Sequence, residues 1–379
     1  MDFVIEKERK SPVYTECDVL VVGGGVAGVA AALSAARQGA DVILLEACCA
    51  LGGLATLGLV TVYEPLCDGY GNQLIFGLAE ELLKRSINHG YESRYPYAWL
   101  DGGTDEERKN GQRYMVQFNA QLFALELEQM LLEHNIRIIY RTKVYDVLTK
   151  DGKITEVLID NKEGRSAIRA KSFVDTTGDA DIAYFAGADV DYYQDNTMSV
   201  WYYYYYTGGY KYCALPRPDG RRYSAFKAKD ETEFIIDGHK RVLEDVINRQ
   251  KEDPAVMPVT LPLLPDYRTT RHLVGASLPN ADEAKSKFPD SIGCCGDWRG
   301  PSCAYYVPYS SMYTSKIEKL ITAGRCISVQ ADLCEITRVI PVCALTGEAA
   351  GIAAAYNAKN QTGMAKVPIE YLNKNLKSK

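Results

Sequence analysis

The chain has 379 residues and a formal net charge of −6, with 47% hydrophobic residues, 24% charged residues and a mean hydropathy of −0.20. This composition predicts a soluble, globular, cytoplasmic protein, and its acidic balance argues against a nucleic-acid or anionic-membrane binder, which needs a basic excess to neutralise phosphates. Eleven cysteines without a C-x-x-C pair indicate reduced thiols and argue against a zinc or simple iron–sulfur site, so we predict no metal centre.

An uncharged stretch from Val19 to Ala36 has the length of a membrane span or a signal sequence. Glu16 and Asp18 stand directly before it, where a signal sequence would be basic, and consecutive glycines at 23–25 would break a spanning helix. The pattern instead predicts a buried strand over residues 18–22, a glycine turn, and a helix over residues 26–38.

The glycine turn matches the dinucleotide fingerprint G-x-G-x-x-G. Gly23 permits the tight turn, Gly25 lets backbone approach a pyrophosphate, and Gly28 lets the helix pack closely on the strand. The first helical residues, Val26 and Ala27, belong to a helix start whose free N–H groups and dipole favour phosphate.

A second strand is predicted to end at Glu46, which follows Gly23 by 23 residues. A carboxylate there can accept both hydroxyl hydrogens of an adenosine ribose and would repel a 2′-phosphate. The fingerprint does not choose between NAD and FAD. The second glycine turn at Gly52 and Gly53, with small residues behind it, favours backbone lying along a longer and bulkier cofactor.

The residues up to 186 predict further α/β structure. Apolar residues at helical spacing predict a helix over 114–134. Strand-like runs follow, separated by the hairpin signals Asp151-Gly152 and Glu163-Gly164: residues 136–140, 143–150, 153–160 and 166–170. The stretch 172–188 predicts a strand that ends at Asp175 or Thr176, then a turn and a short helix.

The segment 187–317 differs in character, with many tyrosines, notably from Val200 to Cys213. It predicts a mainly antiparallel second domain with one helix from His239 to Arg249. Its tyrosines could stack on a substrate, or place alternate rings on core and surface, and they would make a serviceable dimer surface. The C-terminal residues return to α/β character, with a strand, a turn and a helix from Pro341 to Asn360.

The predicted fold class is therefore α/β. A Rossmann-like domain with a parallel sheet is split in sequence between residues 1–186 and 318–379. The second, mainly antiparallel β substrate or cap domain occupies residues 187–317.

Several motifs, in order along the chain, resemble one family: "DVLVVGGGVAGVAAALSAARQGADVILLE", "LGGLATLGLVT", "VDTTGDADIAYFAGA", "LITAGRCIS" and "TRVIPVCALTGEAAGIAAA". The chain resembles the FAD-dependent oxidoreductases with a glutathione-reductase-like flavin domain, allied to the fumarate reductase flavoproteins. The resemblance implies an FAD-binding Rossmann-like domain. Relatives with covalent flavin usually carry a histidine after the second glycine turn; none occurs here between Gly52 and Tyr70, so non-covalent FAD is expected.

The resemblance also implies which residues contact FAD. In chain order these are Gly23, Gly25, Val26, Ala27 and Gly28 at the pyrophosphate, Glu46 at the ribose, Gly53, Leu54 and Ala55 near the ribityl chain and ring, Val144 by the adenine, Thr177, Gly178 and Asp179 in a second FAD motif, Gly324 and Arg325 at a late strand–turn, and Arg338, Val339 and Ile340 at the pyrimidine end. Many relatives have Gly-Asp at the late turn, so Arg325 leaves the usual acidic contact there in question.

The candidate catalytic residues are Arg268, Arg271 and His272. Arginine can hold a substrate carboxylate in a bidentate pair, and in fumarate-reductase-like relatives an arginine serves as proton donor. Histidine titrates near neutrality. The alternative for all three is a purely structural role. Tyr63 and Glu64, after the second glycine turn, are further candidates for the substrate side.

The leading functional hypothesis is an FAD-dependent oxidoreductase that transfers a hydride between flavin N5 and a small organic substrate. The alternatives are an NAD-dependent dehydrogenase, or a flavin-binding subunit that acts within a larger complex. The expected partners are the substrate and an electron donor or acceptor that the sequence does not identify, with no nucleic acid and no membrane. The sequence leaves open whether the chain forms a homo-oligomer.

Overall fold

The structure is a computed structural model that describes residues 4, 8–109, 113–217 and 219–376. Its strands are β1 (Val13–Val22), β2 (Val42–Leu45), β3 (Val62–Tyr63), β4 (Val116–Gln117), β5 (Arg137–Ile139), β6 (Lys143–Lys150), β7 (Lys153–Asn161), β8 (Gly164–Asp175), β9 (Val190–Tyr192), β10 (Asn196–Thr197), β11 (Ser199–Tyr206), β12 (Gly209–Pro216), β13 (Arg222–Tyr223), β14 (Met257–Thr260), β15 (Arg271–Leu273), β16 (Ser291–Cys295), β17 (Tyr305–Pro308) and β18 (Leu320–Thr322). Its helices are α1 (Val26–Arg37), α2 (Leu78–Ser86), α3 (Tyr97–Leu100), α4 (Asp105–Lys109), α5 (Ala120–Glu133), α6 (Asp181–Phe185), α7 (Ala228–Gln250), α8 (Ala281–Ala284), α9 (Ala331–Thr337), α10 (Ile340–Asn360) and α11 (Ile369–Asn375).

A mainly parallel sheet lies at the centre of the fold. Its parallel strands follow the order β5-β2-β1-β8, and β18 pairs with the last residues of β8, 173–175. The hairpin of β6 and β7 is antiparallel and pairs with the first residues of β8. The parallel strands have the order of a doubly wound nucleotide-binding sheet, with the first strand of the chain at its centre. The predicted fold class is thus confirmed.

Both faces of the sheet are covered, as a buried parallel sheet requires. Alternate residues of β1 enter two different cores. Val19 and Val21 face the larger core with α1, α5 and α10, whereas Leu20 and Val22 face a smaller core with α6. The continuous apolar run that resembles a membrane span is therefore a strand buried on two sides, followed by a core helix.

α10 crosses α1 at very short range because both helices carry small residues. A Cβ atom at Gly347 would lie 2.2 Å from the Ala27 carbonyl oxygen, and one at Gly351 would lie 2.1 Å from that of Ala31. Ser34 Oγ also donates a hydrogen bond to the Glu348 carbonyl oxygen at 2.9 Å. The crossing holds α1, and the glycine turn at its start, firmly against α10.

The tyrosine-rich segment builds its own antiparallel sheet and core. β11 pairs with β12 on one side and with β14 on the other, and Gly238 of α7 lies beside Val200. Tyr202, Tyr223 and Phe234 are buried in this core. β16 and β17, which belong to the same predicted domain, place Ile292 and Val307 in the large core instead. The predicted domain boundaries remain a prediction.

Three elements differ from the sequence prediction. The helix expected from residue 114 begins at Ala120, because residues 116–117 pair with β3 and the Asn119 side chain caps the helix by accepting from Leu122 N. The helix expected over 239–249 begins earlier, at Ala228. The runs at 166–170 and 172–175 form one strand, β8, because β1 pairs along nearly all of it.

No single helix among the described residues is long and apolar enough to cross a membrane. The pair α9 and α10 passes the same test of length and composition when taken together, but it is bent by 92°.

Candidate functional site

A cleft of about 540 Å³ opens where the parallel strands end. Its floor is made by the residues that directly follow four of them: Gly23 after β1, Glu46 after β2, Thr176 after β8 and Ala323 after β18. In open α/β sheets ligands bind outside the carboxyl ends of the strands, at the point where the strand order reverses. The cleft occupies that place.

The first glycine turn shapes the middle of the cleft. Gly23 has φ +103°, and a Cβ atom there would lie 2.5 Å from the Thr176 carbonyl oxygen. Gly28 faces the turn rather than the cleft, because its Cβ would lie 1.8 Å from the Gly23 carbonyl oxygen. A Cβ at Gly25, by contrast, would have no atom within 4 Å. Gly25 is the N-cap of α1 and has no side chain over the helix end, which leaves room for a phosphate there.

The second glycine turn is joined to the first. Gly52 N donates to the Gly24 carbonyl oxygen at 2.8 Å, and the Cβ position of Gly53 lies 3.2 Å from Gly25 Cα. Leu54 and Ala55 then line the cleft beyond this contact. The two turns therefore form one continuous wall of backbone along which an extended ligand can lie.

Glu46 closes one end of the cleft. Its carboxylate accepts from Gly24 N at 2.7 Å through Oε2 and from Cys48 N at 2.6 Å through Oε1. These bonds hold the carboxylate at the edge of the glycine turn, 8% exposed. Lys143 and Val144, at the start of β6, line the same end. The arrangement suits an adenosine with its ribose at Glu46.

The loop after β8 forms the opposite wall. Asp175 is fully buried and its carboxylate accepts from Thr177 N and Ala183 N, so that it ties the loop to the start of α6. Burial raises the pKa of Asp175 above its ordinary value. Arg325 Nη2 donates to Asp179 Oδ1 at 3.0 Å across the cleft wall. An ion pair thus joins the late strand–turn to the loop after β8.

The far end of the cleft is lined by Arg338, Ile340 and Cys343, at the start of α10. Glu64 Oε2 accepts from Ile340 N at 3.1 Å. Burial raises the pKa of Glu64 to about 7, against the lowering effect of two backbone hydrogen bonds and of the nearby Arg338. One buried polar atom of this lining residue set, Arg338 Nε, has no hydrogen-bond partner in the protein. It remains available to a ligand.

The predicted cofactor residues line the cleft with two exceptions, Gly28 and Val339. Gly28 packs against the turn as described, and Val339 is a buried N-cap of α10 whose side chain is 5% exposed. The others line the cleft: Gly23, Gly25, Val26, Ala27, Glu46, Gly53, Leu54, Ala55, Val144, Thr177, Gly178, Asp179, Gly324, Arg325, Arg338 and Ile340.

The three predicted catalytic residues are not among the described residues that line the cleft. Arg271 Nε donates to the Asp179 carbonyl oxygen at 2.8 Å, and Nη2 donates to Asp181 Oδ1 at 2.5 Å. Arg271 therefore stabilises the loop after β8 without lining the cleft. His272 is 3% exposed. Arg268 lies 3.5 Å from Asp266, and its side chain is 43% exposed. The structure does not bring the three to the cofactor cleft, and their catalytic role stays a prediction.

Sequence analysis did not single out several residues that line the cleft: Lys143, Asp181, Ala225, Glu231, Tyr267 and Cys343. Some stand next to a motif that was recognised, as Asp181 follows Asp179 and Tyr267 precedes Arg268. Ala225 and Glu231 stand far from every motif, and only the tertiary fold brings them to the cleft.

The residues present fit a dinucleotide with a bulky second half. The open Cβ position of Gly25 provides the phosphate cradle, Glu46 the ribose contact, and the unpartnered Arg338 Nε a polar contact at the far end. The wall formed by the second glycine turn continues past the phosphate position toward that end.

Known proteins share both the sequence pattern and the fold. The p-nitrophenol 4-monooxygenase from Pseudomonas putida DLL-E4 is 14% identical, with a TM-score of 0.50 over 96% of this chain and 84% of the other. A geranylgeranyl bacteriochlorophyll reductase-like protein from Thermoplasma acidophilum is 13% identical, with a TM-score of 0.49 over 95% of this chain and 82% of the other. A model of the FAD dependent oxidoreductase family matches residues 18–200 and 252–376. The chain therefore belongs to the FAD dependent oxidoreductase family, and its cofactor is FAD.

Proposed function

We propose that this FAD-dependent oxidoreductase transfers a hydride between the flavin and a small organic substrate held against the central tyrosine-rich sheet. One observation carries the proposal. Leu264, Pro265 and Tyr267, from the segment that follows β14, line the same cleft as Arg338 and Ile340 at its far end. A substrate bound at the central sheet would therefore meet the end of the cleft that is left for the flavin ring.

When bound, FAD supplies the two-electron chemistry itself, and the protein supplies binding, orientation and electrostatics. The N-terminus of α1 would hold the pyrophosphate, and Glu46 would hold the ribose. The start of α10 places a positive helix end and the Arg338 guanidinium at the far end of the cleft, where both stabilise negative charge. Cys343 and Ile340 complete this end with apolar surface.

The central sheet is bonded directly to the loop after the second glycine turn. Leu263 N donates to the Leu57 carbonyl oxygen at 2.7 Å, and the Tyr212 hydroxyl donates to that of Leu59. Tyr203 Oη lies 3.1 Å from Thr61 Oγ1. These contacts support the proposal because they hold the tyrosine-rich sheet against the loop that continues from the cleft-lining residues Leu54 and Ala55.

The aromatic character of this region favours a substrate with apolar or planar surface. Trp201 stacks on Tyr212 with ring centroids 5.2 Å apart, and its indole N–H donates to Asp266 Oδ2 at 3.2 Å. Asp266 is 6% exposed. Asp266, which also lies 3.5 Å from Arg268, thus holds the Trp201 indole in place beside Tyr212.

The test is anaerobic reduction of the flavin in the FAD-loaded protein, followed by its visible absorbance. Alcohols, amines and cyclic ketones are added one at a time to the wild type. A Gly25→Val variant, which is expected to hold no FAD, is treated in the same way as a control. Bleaching by one compound class, with the product recovered in equal amount, is the expected result. FAD should appear in the filtrate after denaturation, as non-covalent binding requires.

A different outcome would overturn the hydride-transfer proposal. If NAD(P)H alone reduces the FAD and oxygen is then consumed with hydroxylation of an aromatic compound, the chain is a monooxygenase, as the neighbour from Pseudomonas putida is named. If no compound changes the flavin spectrum and a stable partner protein co-purifies, the chain is a flavin-binding subunit of a larger complex.

A further inference from the structure

We propose that Glu64, beside the bound flavin, takes up a proton when the flavin is reduced and releases it when the flavin is oxidised. The inference rests on the proposed redox function of the cleft. Glu64 follows β3, and its Oε2 accepts from the first N–H group of α10, Ile340 N, at 3.1 Å. Ile340 itself lines the cleft at its far end.

The place of the flavin relative to Glu64 follows from the geometry of the cleft. Glu46 marks the ribose end and the α1 N-terminus marks the pyrophosphate, so the remaining length of FAD must extend toward Arg338, Ile340 and Cys343. The carboxyl group of Glu64 therefore shares one helix end with the cofactor. Pro341, the next residue of α10, has no N–H group to offer.

Among the titratable side chains that surround it, Glu64 is the one with a pKa near neutrality. The groups that face it have pKa values well away from pH 7. They are Tyr63 from its own segment, Arg338 from the end of α9, and Cys343 from α10. Burial raises the pKa of Tyr63 well above its ordinary value and that of Cys343 to about 12, so both are neutral at pH 7. Arg338 stays charged, since its pKa is raised beyond its ordinary value.

The electrostatic consequence is a coupling between proton and electrons. Reduction by two electrons and one proton adds one negative charge at the cleft, which raises the proton affinity of a carboxylate close by. Glu64 then takes up a second proton from solvent and becomes a neutral carboxylic acid, so that the charge of the site is unchanged. On oxidation the carboxyl group releases that proton again. Arg338 offsets part of the added charge but cannot exchange a proton.

The test is the midpoint potential of bound FAD as a function of pH, measured against reference dyes with dithionite as the electron donor. One extra proton per two electrons adds about 30 mV per pH unit to the slope. We expect the wild type to show this extra slope above about pH 7, and Glu64→Gln to lose it. The glutamine amide oxygen still accepts from Ile340 N, so the variant keeps the contact without the titration.

Glu335→Gln is the matched control, because Glu335 contacts the same arginine, with Arg338 Nη2 2.9 Å from Oε2, but is 41% exposed. It should keep the wild-type slope. Equal slopes in the wild type and Glu64→Gln would overturn the inference. Because dithionite supplies the electrons, this result does not depend on whether any organic substrate reduces the FAD.

A second measurement on the wild type covers the case in which Glu64→Gln fails to fold or to hold FAD. A reduced-minus-oxidised infrared difference spectrum above neutral pH should gain a carboxylic-acid C=O band that shifts in D₂O. Glu335→Gln should show the same band. A spectrum without such a band in the wild type would overturn the inference by itself.

Discussion

His272 illustrates how far the position of a single residue decides its role. It is 3% exposed, its ring stacks on that of Tyr193 at 4.3 Å, and its Nδ1 lies 2.8 Å from the Leu273 carbonyl oxygen. Burial lowers the pKa of His272 below its ordinary value of 6.5. A histidine whose pKa is lowered in this way makes the stability of the fold depend on pH.

The sign of this effect can be tested. Below about pH 6.5 the unfolded chain binds a proton at His272 and the folded chain does not, so the free energy of unfolding falls as the pH falls. The loss is about 1.4 kcal/mol per pH unit until the folded pKa is reached. We expect His272→Phe, which keeps a ring against Tyr193, to flatten this dependence in urea unfolding between about pH 7 and 5.

The same substitution at His239, an exposed residue of α7, is the control and should leave the pH dependence of the wild type. The absolute stability of His272→Phe can differ because the hydrogen bond to Leu273 is lost, so the slope is the readout. An unchanged slope would show that His272 takes up its proton in the folded protein.

Glu46 carries a second prediction for a single residue. Its two oxygens accept from Gly24 N and Cys48 N, and Glu46→Gln replaces one acceptor by a donor. The substituted position can then no longer accept from a ribose hydroxyl, and losing one hydrogen bond to a charged group costs about 1.5–3 kcal/mol. The dissociation constant for FAD should therefore rise by roughly tenfold to a hundredfold, measured by equilibrium dialysis.

Glu128→Gln is the matched change outside the cleft, since the carboxylate of Glu128 accepts from Tyr140 Oη at 2.6 Å. It should bind FAD as the wild type does. If Glu46→Gln also kept the wild-type affinity, the ribose would lie elsewhere than at the end of β2.

At the scale of elements, the crossing of α1 and α10 makes a strong demand on residue size. A Cβ atom at Gly351 would lie 2.0 Å from Ser34 Oγ and 2.1 Å from the Ala31 carbonyl oxygen. Gly351→Ala should therefore force the helices apart and lower the free energy of unfolding by about 1–3 kcal/mol or more, measured in urea.

Gly238→Ala is the matched helix substitution, because a Cβ atom there meets only Val200, at an ordinary 3.6 Å. Replacing a helix glycine by alanine should then raise stability by up to about 1 kcal/mol. Equal destabilisation in both variants would mean that the loss comes from replacing a helix glycine in general and not from the close crossing of α1 and α10.

The sequence predicts elements well where a motif is local and poorly where a partner strand decides. One short stretch of sequence predicts β1, the first glycine turn and α1, because the spacing of its glycines is typical of a strand–turn–helix unit. The start of α5 does not, since residues 116–117 have helical spacing but pair with β3. The single strand β8 likewise depends on β1, which lies far away in the chain.

The same distinction applies to the functional side chains. Many of the cleft residues could be singled out from the sequence because they follow a strand end or belong to a glycine turn. Arg271 was not, because its role depends on which acceptors the fold presents, and these are Asp179 and Asp181 rather than a ligand. A sequence pattern identifies an arginine that can bind a carboxylate, but not which carboxylate it meets.

At the scale of the whole molecule, the central segment is joined to the cleft although much of it lies outside the family model. The unmatched residues 201–251 include most of β11, all of β12 and α7. Ala225 and Glu231 from this segment line the FAD cleft beside Tyr267. FAD bound in the cleft would therefore touch both the nucleotide-binding sheet and the central segment, and its binding should stabilise the molecule as a unit.

This expectation gives a prediction that separates binding from folding. FAD at a hundredfold excess over Kd should stabilise the wild type by about 2.7 kcal/mol, seen as a rise in Tm. Gly25→Val should fold with the Tm of the FAD-free wild type, since Gly25 has φ −64° and open space at its Cβ position. The valine side chain would then occupy the phosphate position, and added FAD should no longer raise Tm.

Gly28→Val is the contrasting variant three residues away. Its Cβ would lie 1.8 Å from the Gly23 carbonyl oxygen. The substitution should therefore destabilise the fold itself, and the Tm should fall even without FAD. The pair distinguishes a glycine required by the ligand from one required by packing. If Gly25→Val still gained Tm on addition of FAD, the cofactor would lie outside the cleft at the ends of the parallel strands. If Gly28→Val were as stable as the wild type, α1 would not pack closely against the glycine turn.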